Sequence, residues 1–447
     1  MKQASLENSV LTHLAGQIGD ARKLCIAFSG GLDSTVLLAA LVQLRTGTYS
    51  DFSLRAIHVH HGLSQFADQW VAHARAFCQK FQVPLEVVNV TLDAKKDGIE
   101  AAARAARYQA FADHLSAGET LLTAQHLDDQ CETFLLALKR GSGPAGLSAM
   151  PAHSERNGYR LLRPFLALSR HQLEQFAMNA GLQWIEDDSN QDPRFDRNFL
   201  RLNVLPTLCE RWPHFSQAVS RSAALCGEQE ALLDELLSES LQTLTDSNGS
   251  LDITGMLLMS LQRRQAILRR WLSVQGARMP SREQLQRLWD EVALSREDAQ
   301  PLLQLNSFSV RRFQQRLYLL PPMASLQQTV LTWDTTTPLK LPDGLGYLQV
   351  REHLVNDTES IRLPRDNEQV NVRFQAKGMI EKAGRSHARQ SKKLWQELSV
   401  PPWQRERTPL IYYNEQLMAA PGLFITSQAL AQAGAPQWQI VWCPCKK

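Results

Sequence analysis

Lys23-Leu24-Cys25-Ile26-Ala27-Phe28 runs directly into Ser29-Gly30-Gly31-Leu32-Asp33-Ser34, and that stretch into Thr35–Leu44 (TVLLAALVQL). The first segment is a short apolar run of the kind that forms a buried strand. The last reads as a helix. The six residues between them make the turn, and the carboxyl end of a strand in a parallel α/β sheet is where ligands bind. Gly30 and Gly31 let the backbone turn tightly and approach a ligand closely. Backbone N–H groups and the positive end of the following helix attract anions. Ser29 and Ser34 add hydroxyl groups. Asp33 beside phosphate calls for a cation, and Mg²⁺ binds through one or two carboxylates plus phosphate oxygens. The lysine of a GxxxxGK[ST] loop is missing, so this is not a Walker loop.

Outward from that turn, strand and helix candidates alternate. Leu54–His60 and Pro84–Val90 read as strands, as does the stretch from Thr120 to Ala124. Gln69–Phe81, the Ala-rich Ile99–Leu115 and Asp128–Lys139 read as helices. Strict alternation predicts βαβ units and a parallel sheet covered on both faces. From Asn203 to about Asp298 helical periodicity takes over, clearest in Ser220–Leu241 and Leu261–Trp271. Beyond Pro301, short β-like runs such as RLYLL, YLQVRE and PLIYYN are divided by Pro and Gly, and Pro321–Leu341 reads as a linker. The expected organisation is an α/β Rossmann-like domain over 1–205, a helical domain over 206–320, a linker and β-rich segment over 321–360, and a small β-rich domain over 361–447.

The chain has 447 residues, 44% hydrophobic and 21% charged, ordinary for a globular protein. No apolar run is long enough to span a membrane, and Met1–Asp20 lacks a signal-peptide core. The seven cysteines form no CxxC pair, which argues against a zinc ribbon or iron–sulfur site and fits a reducing cytoplasm. The net charge of +3 is uneven: residues 361–447 carry 13 Lys+Arg against 6 Asp+Glu. A basic tail suits a polyanionic partner, or simply a solvated surface.

A second constellation follows the fourth strand candidate: Thr123–Thr133 (TAQHLDDQCET). Asp128 can cap the helix. Asp129 and Glu132 are three apart and share a helix face. With no lysine nearby, they suit a cationic substrate or a metal; the bland alternative is an acidic first turn favoured by the helix dipole. Arg104 and Arg107 lie one turn apart, with Tyr108 four residues from Arg104. Such arginines clamp a developing phosphoryl charge, or serve as surface ion pairs. Arg197 and Arg201 are further candidates of that kind. His58, His60 and His61 end the second strand near the expected nucleotide pocket, and His126 is placed to touch phosphate or orient the acidic helix. Trp271 and Trp289 read as core. Lys377, Lys382, Arg385, Arg389, Lys392 and Lys393, with Trp395 and Trp403 nearby, read as a surface for an RNA backbone.

SGGLDS after a first strand resembles the SGGxDS signature of the PP-loop (N-type) ATP pyrophosphatases. That resemblance implies cleavage of ATP between its α and β phosphates. TAQHLDDQCET closely resembles the HxxDDxxET motif of the tRNA(Ile)-lysidine synthetases. Lys139–Leu147 resembles their RGxGxxGL stretch. Trp184–Asn190 and Asp196–Arg201 resemble their EDxSN and RNxxR elements. Ser391–Leu398 and the run from Val400 to Leu410 resemble the KKLK…IPPWxR…PLL pattern of their last domain. The likeness is closest over residues 23–205 and 361–425. Gln125 stands where the family often has a first His, Cys131 where Ala is common, and the spacing before Lys392 and Lys393 is unusual.

The resemblance implies an ATP-dependent, cytoplasmic ligase. The wobble cytidine of the CAU anticodon in tRNA(Ile) is adenylated at O2; free L-lysine then displaces AMP at C2, changing the codon read from AUG to AUA. It further implies residue roles. Ser29, Gly30, Gly31, Leu32, Asp33 and Ser34, with His60 and His126, bind ATP, and Asp33 holds Mg²⁺. Arg104 or Arg107 stabilises charge at the α-phosphate. Asp129 and Glu132 bind lysine. Arg197, Arg201 and the basic cluster grip the tRNA. No membrane partner is expected, and a homodimer is an admissible assembly. The rival readings are a PP-loop tRNA thiolase, which commonly needs a cysteine pair or cluster, and a non-catalytic RNA-binding module, which would not need Asp33, Asp129 and Glu132.

Overall fold

The computed structural model describes all residues except 1, 48–50, 63–65, 92–98, 157, 187, 297–298, 353–359, 386, 433–434 and 446–447. The alternation read from the sequence becomes α1 (Lys2–Ile18), β1 (Lys23–Ala27), α2 (Leu32–Thr46), β2 (Ser53–His60), α3 (Ala67–Lys80), β3 (Leu85–Asn89), α4 (Ile99–His114), β4 (Thr120–Leu122) and α5 (Leu127–Lys139). The short helix α6 (Pro144–Leu147) and a hairpin, β5 (His153–Arg156) and β6 (Tyr159–Leu162), come next, then α7 (Arg170–Asn179). The strands form one sheet in the order β3-β2-β1-β4-β6-β5. All neighbours are parallel except the edge strand β5. That antiparallel edge was not anticipated.

Successive residues of β1 feed opposite faces. Leu24 and Ile26 join a core with Val10 and Leu14 of α1, Leu37 of α2, Phe77 of α3 and Phe176 of α7. Cys25 joins Ile57, Leu121, Leu161 and, from α4, Tyr108 and Phe111. Both faces are therefore covered, as a parallel sheet requires. The chain runs outward through β1, β2 and β3, then crosses back to β4 on the other side of β1. This puts a topological switch point between β1 and β4, with the loops after both strands at its mouth.

After α7, the chain forms α8 (Asp196–Phe199), a π-helical turn at Leu200–Val204, α9 (Leu205–Arg211) and the long α10 (Phe215–Leu244). The protein divides into two compact units, Met1–Leu236 and Leu237–Lys447, with the boundary inside α10.

In the second unit, α11 (Leu261–Val274) and α12 (Arg282–Arg287) cover a sheet ordered β7-β10-β9-β8: β7 (Leu251–Asp252), β8 (Leu302–Leu305), β9 (Phe308–Phe313) and β10 (Arg316–Leu320). Trp271 and Trp289 lie in that core, as expected. Two further antiparallel sheets enclose another core. One contains β11 (Val330–Thr332), β15 (Val370–Arg373), β18 (Leu410–Tyr413), β19 (Gln416–Ala420) and β20 (Phe424–Ile425). The other contains β12 (Leu339–Lys340), β13 (Tyr347–Glu352), β14 (Ile361–Arg362) and β21 (Gln437–Cys443). The stretch Pro321–Leu341 is more than a linker: it supplies β11 and β12 and buries Leu326, Trp333 and Leu341. The small hairpin β16 (Met379–Ile380) and β17 (Arg389–Gln390) leads into α13 (Ser391–Glu397), and α14 (Pro402–Arg405) follows. Among the described residues, no helix is long and apolar enough to cross a membrane.

Candidate functional site

The Ser29–Ser34 loop is held by its own side chains. Gly30 has φ +85°, which favours glycine. Ser34 Oγ donates to the Gly31 carbonyl at 3.0 Å and accepts from Gly30 N at 3.2 Å. The two serine hydroxyls lie 3.0 Å apart. Gly31 is the N-cap of α2 and, having no side chain, leaves the first-turn N–H groups without a side-chain cap. Uncapped N–H groups at a helix start are suited to an anion. Beyond α7, Ile185 N donates to the Gly30 carbonyl at 2.9 Å and ties the loop to the segment that follows that helix. Of the Trp184–Asn190 motif, Asp187 lies outside the described residues.

His126 begins the second element. It, and not Asp128, is the N-cap of α5: its Nδ1 accepts from Asp128 N at 3.2 Å, and Asp129 Oδ2 accepts from His126 N at 3.0 Å, closing a capping box. The expected cap at Asp128 is thus corrected. The helix starts one residue earlier, and Asp128 is drawn instead to Arg170 N at 2.9 Å and Ser216 Oγ at 3.3 Å. His126 Nε2 lies 3.7 Å from Asp33 Oδ2 and 3.4 Å from Asp129 Oδ2, so it bridges the two strand-end motifs. Burial works against a charged His126, yet Asp129, Asp128 and Asp33 together raise it to about 9. Protonation turns Nδ1 from acceptor to donor and trades the Asp128 amide for the Asp128 carboxylate, 3.5 Å away. Burial also pushes Asp33 up, reinforced by Asp129 and opposed by His126. Asp33 Oδ1 is buried with no hydrogen-bond partner.

The acidic pair is not open. Glu132 is wholly buried, and Asp129 has 15% of its side chain exposed. Arg201 Nε meets Glu132 Oε1 at 2.7 Å, and Arg201 Nη2 meets Asp129 Oδ1 at 2.9 Å. Arg197 Nε lies 3.0 Å from Glu132 Oε2, and its Nη2 donates to Thr133 Oγ1 at 2.7 Å. Arg197 sits on α8 and Arg201 in the π-helical turn, which sets the register that aims both at one carboxylate. π-turns of this kind recur at functional sites. Burial and Asp129 push the Glu132 carboxyl up, while the arginines pull it back. Burial opposes the Arg201 charge, but Glu132 and Asp129 outweigh it and hold the guanidinium ionised.

The other expected residues divide into groups. Arg104 and Arg107 are both exposed on α4. Arg107 Nε donates to His61 Nε2 at 3.3 Å, while Arg104 lies over the Tyr108 ring, its Cζ 5.2 Å from the centroid. His61 is depressed to about 4 by burial and by Arg107. His58 Nδ1 is 2.9 Å from the Phe28 carbonyl and props the start of the phosphate loop. His60 Nε2 lies 3.2 Å from Asp68 Oδ1 on α3. In the second unit, Lys377, Arg385, Arg389, Lys392 and Lys393 are exposed and Lys382 is half-buried, all about β16, β17 and α13. Arg385 and Arg389 share Glu397.

The sequence reading missed Arg156 and Arg163. Arg163 directly follows the buried pair Leu161-Leu162, and an arginine at a strand's carboxyl end is a signal that could have been used.

The chain is similar to known proteins along most of its length. A PP-loop domain model matches residues 4–208, a TilS substrate binding domain model residues 251–318, and a TilS substrate C-terminal domain model residues 370–442. The tRNA(Ile)-lysidine synthase of Serratia proteamaculans is 59% identical over 435 residues, 97% of this chain and 99% of that protein. Those of Edwardsiella ictaluri and Pectobacterium atrosepticum are 57% and 56% identical, covering 96% and 99% of this chain and 97% and 99% of their own. Among solved structures, the U34-tRNA thiolase NcsA from Methanococcus maripaludis is 15% identical, covering 49% of this chain and 78% of its own, with a TM-score of 0.43, and it bears no weight here. A phosphate loop and an acidic helix facing each other across a switch point, with three family models in order and near-full-length relatives, lead to one conclusion: the chain belongs to the tRNA(Ile)-lysidine synthase family.

Proposed function

We propose that this chain is an ATP-dependent ligase that converts the wobble cytidine of a CAU-anticodon isoleucine tRNA to lysidine. The reading is carried by His126, which spans from Asp33 of the phosphate loop to Asp129 of the acidic helix and so joins a nucleotide site to a cation site.

In the first step, cytosine O2 attacks the α-phosphate of ATP. The bond to the β-phosphate breaks and pyrophosphate leaves. The uncapped N–H groups of α2 and the Ser29 and Ser34 hydroxyls hold the phosphates. Arg104 or Arg107, on α4, supplies charge to the α-phosphate. In the second step, the ε-amine of lysine attacks C2, the C2–O2 bond breaks, AMP leaves, and the amine gives up a proton. Asp129, the partly exposed carboxylate, draws the lysine ammonium. Glu132 acts from behind it, fixing Arg197 and Arg201. His60 lies on the nucleotide side, and the basic surface about α13 grips the tRNA backbone.

The residues fit Mg²⁺. Asp33 offers a buried oxygen without a partner, and its raised pKa reflects a site that a cation would relieve. Among the described residues no group of three or more His, Cys, Asp or Glu is arranged to hold a metal. An ion at Asp33 would therefore take most of its ligands from phosphate and water, as Mg²⁺ does. When bound, it would neutralise charge on the departing pyrophosphate.

Labelled lysine provides the test. The protein with ATP, Mg²⁺ and unmodified isoleucine tRNA should place the label on the anticodon nucleotide. Labelling of a tRNA with a G in the wobble position, or none at all, would reject the proposal.

A further inference from the structure

A second cationic centre lies apart from the Glu132 group. On the β5–β6 hairpin, Arg156 pairs across the strands with Tyr159, and Glu155 with Arg160. Alternation puts Glu155 and Arg160 on one face and turns Arg156 and Tyr159 to the other. There the Arg156 guanidinium carbon is 4.0 Å from the centroid of the Tyr108 ring, against which Arg104 also lies. Arg163, just past β6, is 6% exposed. Its Nη1 donates to Pro151 O at 2.8 Å and Ser154 Oγ at 3.4 Å, but its Nε is buried with no acceptor. Tyr159 Oη is likewise buried without a partner. Among the described residues, no carboxylate pairs with Arg104, Arg156 or Arg163.

Arg55 differs in having counter-ions. That arginine is also partly buried on this sheet, but Glu86 and Glu119 meet it at 2.9 and 2.7 Å. Arg163 has no such counter-ion. Burial lowers its pKa; the Tyr108 hydroxyl, hydrogen-bonded to it, works the other way without outweighing burial, and Arg104 and Arg156 lower it further. A cation withdrawn from water beside like charges is unfavourable unless an anion completes the site. Guanidinium groups suit phosphate, because their N–H donors match its oxygens in pairs.

Position narrows the source. Arg163 stands at the carboxyl end of β6, two strands from β1 in the order β1-β4-β6. At about 4.8 Å per strand, this is roughly 10 Å along the sheet edge from the Ser29–Ser34 loop. It stands on the same edge as that loop, two strands along from it.

We propose that Arg156, Arg163 and Tyr159, with Arg104 at their border, form a pocket for a backbone phosphate of the RNA strand that delivers the target base. This rests on the reading of the chain as a tRNA-modifying ligase.

The test uses Arg156→Gln, whose exposed side chain can be changed without opening the core, and Arg163→Met. Affinity for unmodified isoleucine tRNA is measured across a salt series, and affinity for ATP alone in parallel. Arg156→Gln should weaken tRNA binding several-fold at low salt and flatten the plot of log affinity against log salt by about 0.7–0.9. Arg163→Met should do the same or more, with ATP affinity unchanged in both. An unchanged slope in Arg156→Gln overturns the pocket whether or not Arg163→Met folds. A loss of ATP affinity with tRNA binding intact also overturns it, and assigns the arginines to the nucleotide's own phosphates. Wild-type protein that binds tRNA but makes no lysidine would instead count against the proposed reaction and leave the pocket standing.

Discussion

Arg201 Nε lies 2.7 Å from Glu132 Oε1, and Glu132 is wholly removed from solvent. The two are 69 residues apart in sequence. Removing one partner of a buried pair leaves an uncompensated charge, at a cost of about 3–5 kcal/mol. Arg197 remains to hold Glu132, so Arg201→Ala should fall at the lower end of that range. Thermal unfolding of the variant checks this. A midpoint equal to wild type would mean that the pair does not stabilise the fold.

Asp33 is predicted to trade stability for function. Burial raises its pKa, so its ionised form is disfavoured in the folded protein. Asp33→Asn removes that charge at nearly constant shape. The variant should melt higher than wild type while losing at least about a hundredfold in AMP formation, the scale of removing one electrostatic interaction with the reacting group. A lower melting point, or retained activity, would contradict the role given to Asp33.

The pH dependence of stability should carry a His126 signature. Its pKa is raised from 6.5 to about 9 on folding. The folded state therefore holds the proton more tightly than the unfolded state. The stabilisation is fully present below about pH 6.5, and it is lost as the pH rises through about 9. The melting-point gap between wild type and His126→Asn should narrow steadily across that window. A gap that is constant or widens toward alkaline pH would show that the three carboxylates do not control this imidazole.

The exposed lysines about α13 are predicted to bind through charge alone. Lys392→Glu with Lys393→Glu should weaken tRNA binding and lower the salt slope by about 0.7–0.9 for each phosphate no longer neutralised. ATP affinity should not change. Unaltered tRNA affinity would remove this face from the interface.

The local parts of the fold and site were legible in the sequence, and the distant parts were not. The strand, glycine turn and helix at Lys23–Leu44 could be read directly, because periodicity and backbone preference are local. Asp129 and Glu132 could be placed on one helix face, but nothing near them reveals Arg197 and Arg201. Those arginines arrive from more than 60 residues away, Arg197 on α8 and Arg201 on a π-turn that has no sequence signal of its own. His126 takes the cap position two residues before Asp128, because its ring nitrogen accepts from the Asp128 amide while Asp129 accepts from the His126 amide. The β5–β6 hairpin escaped notice because β5 is a short, largely exposed edge with the sequence HSER. Pro321–Leu341 read as a linker because its buried residues are spread singly among Pro and Thr.

The central claim is adenylation followed by displacement. ATP labelled in the α-phosphate, Mg²⁺ and unmodified isoleucine tRNA, incubated without lysine, should leave label on the tRNA; adding lysine should release it as AMP. Label that never joins the tRNA, or AMP that forms equally without lysine, would contradict the account.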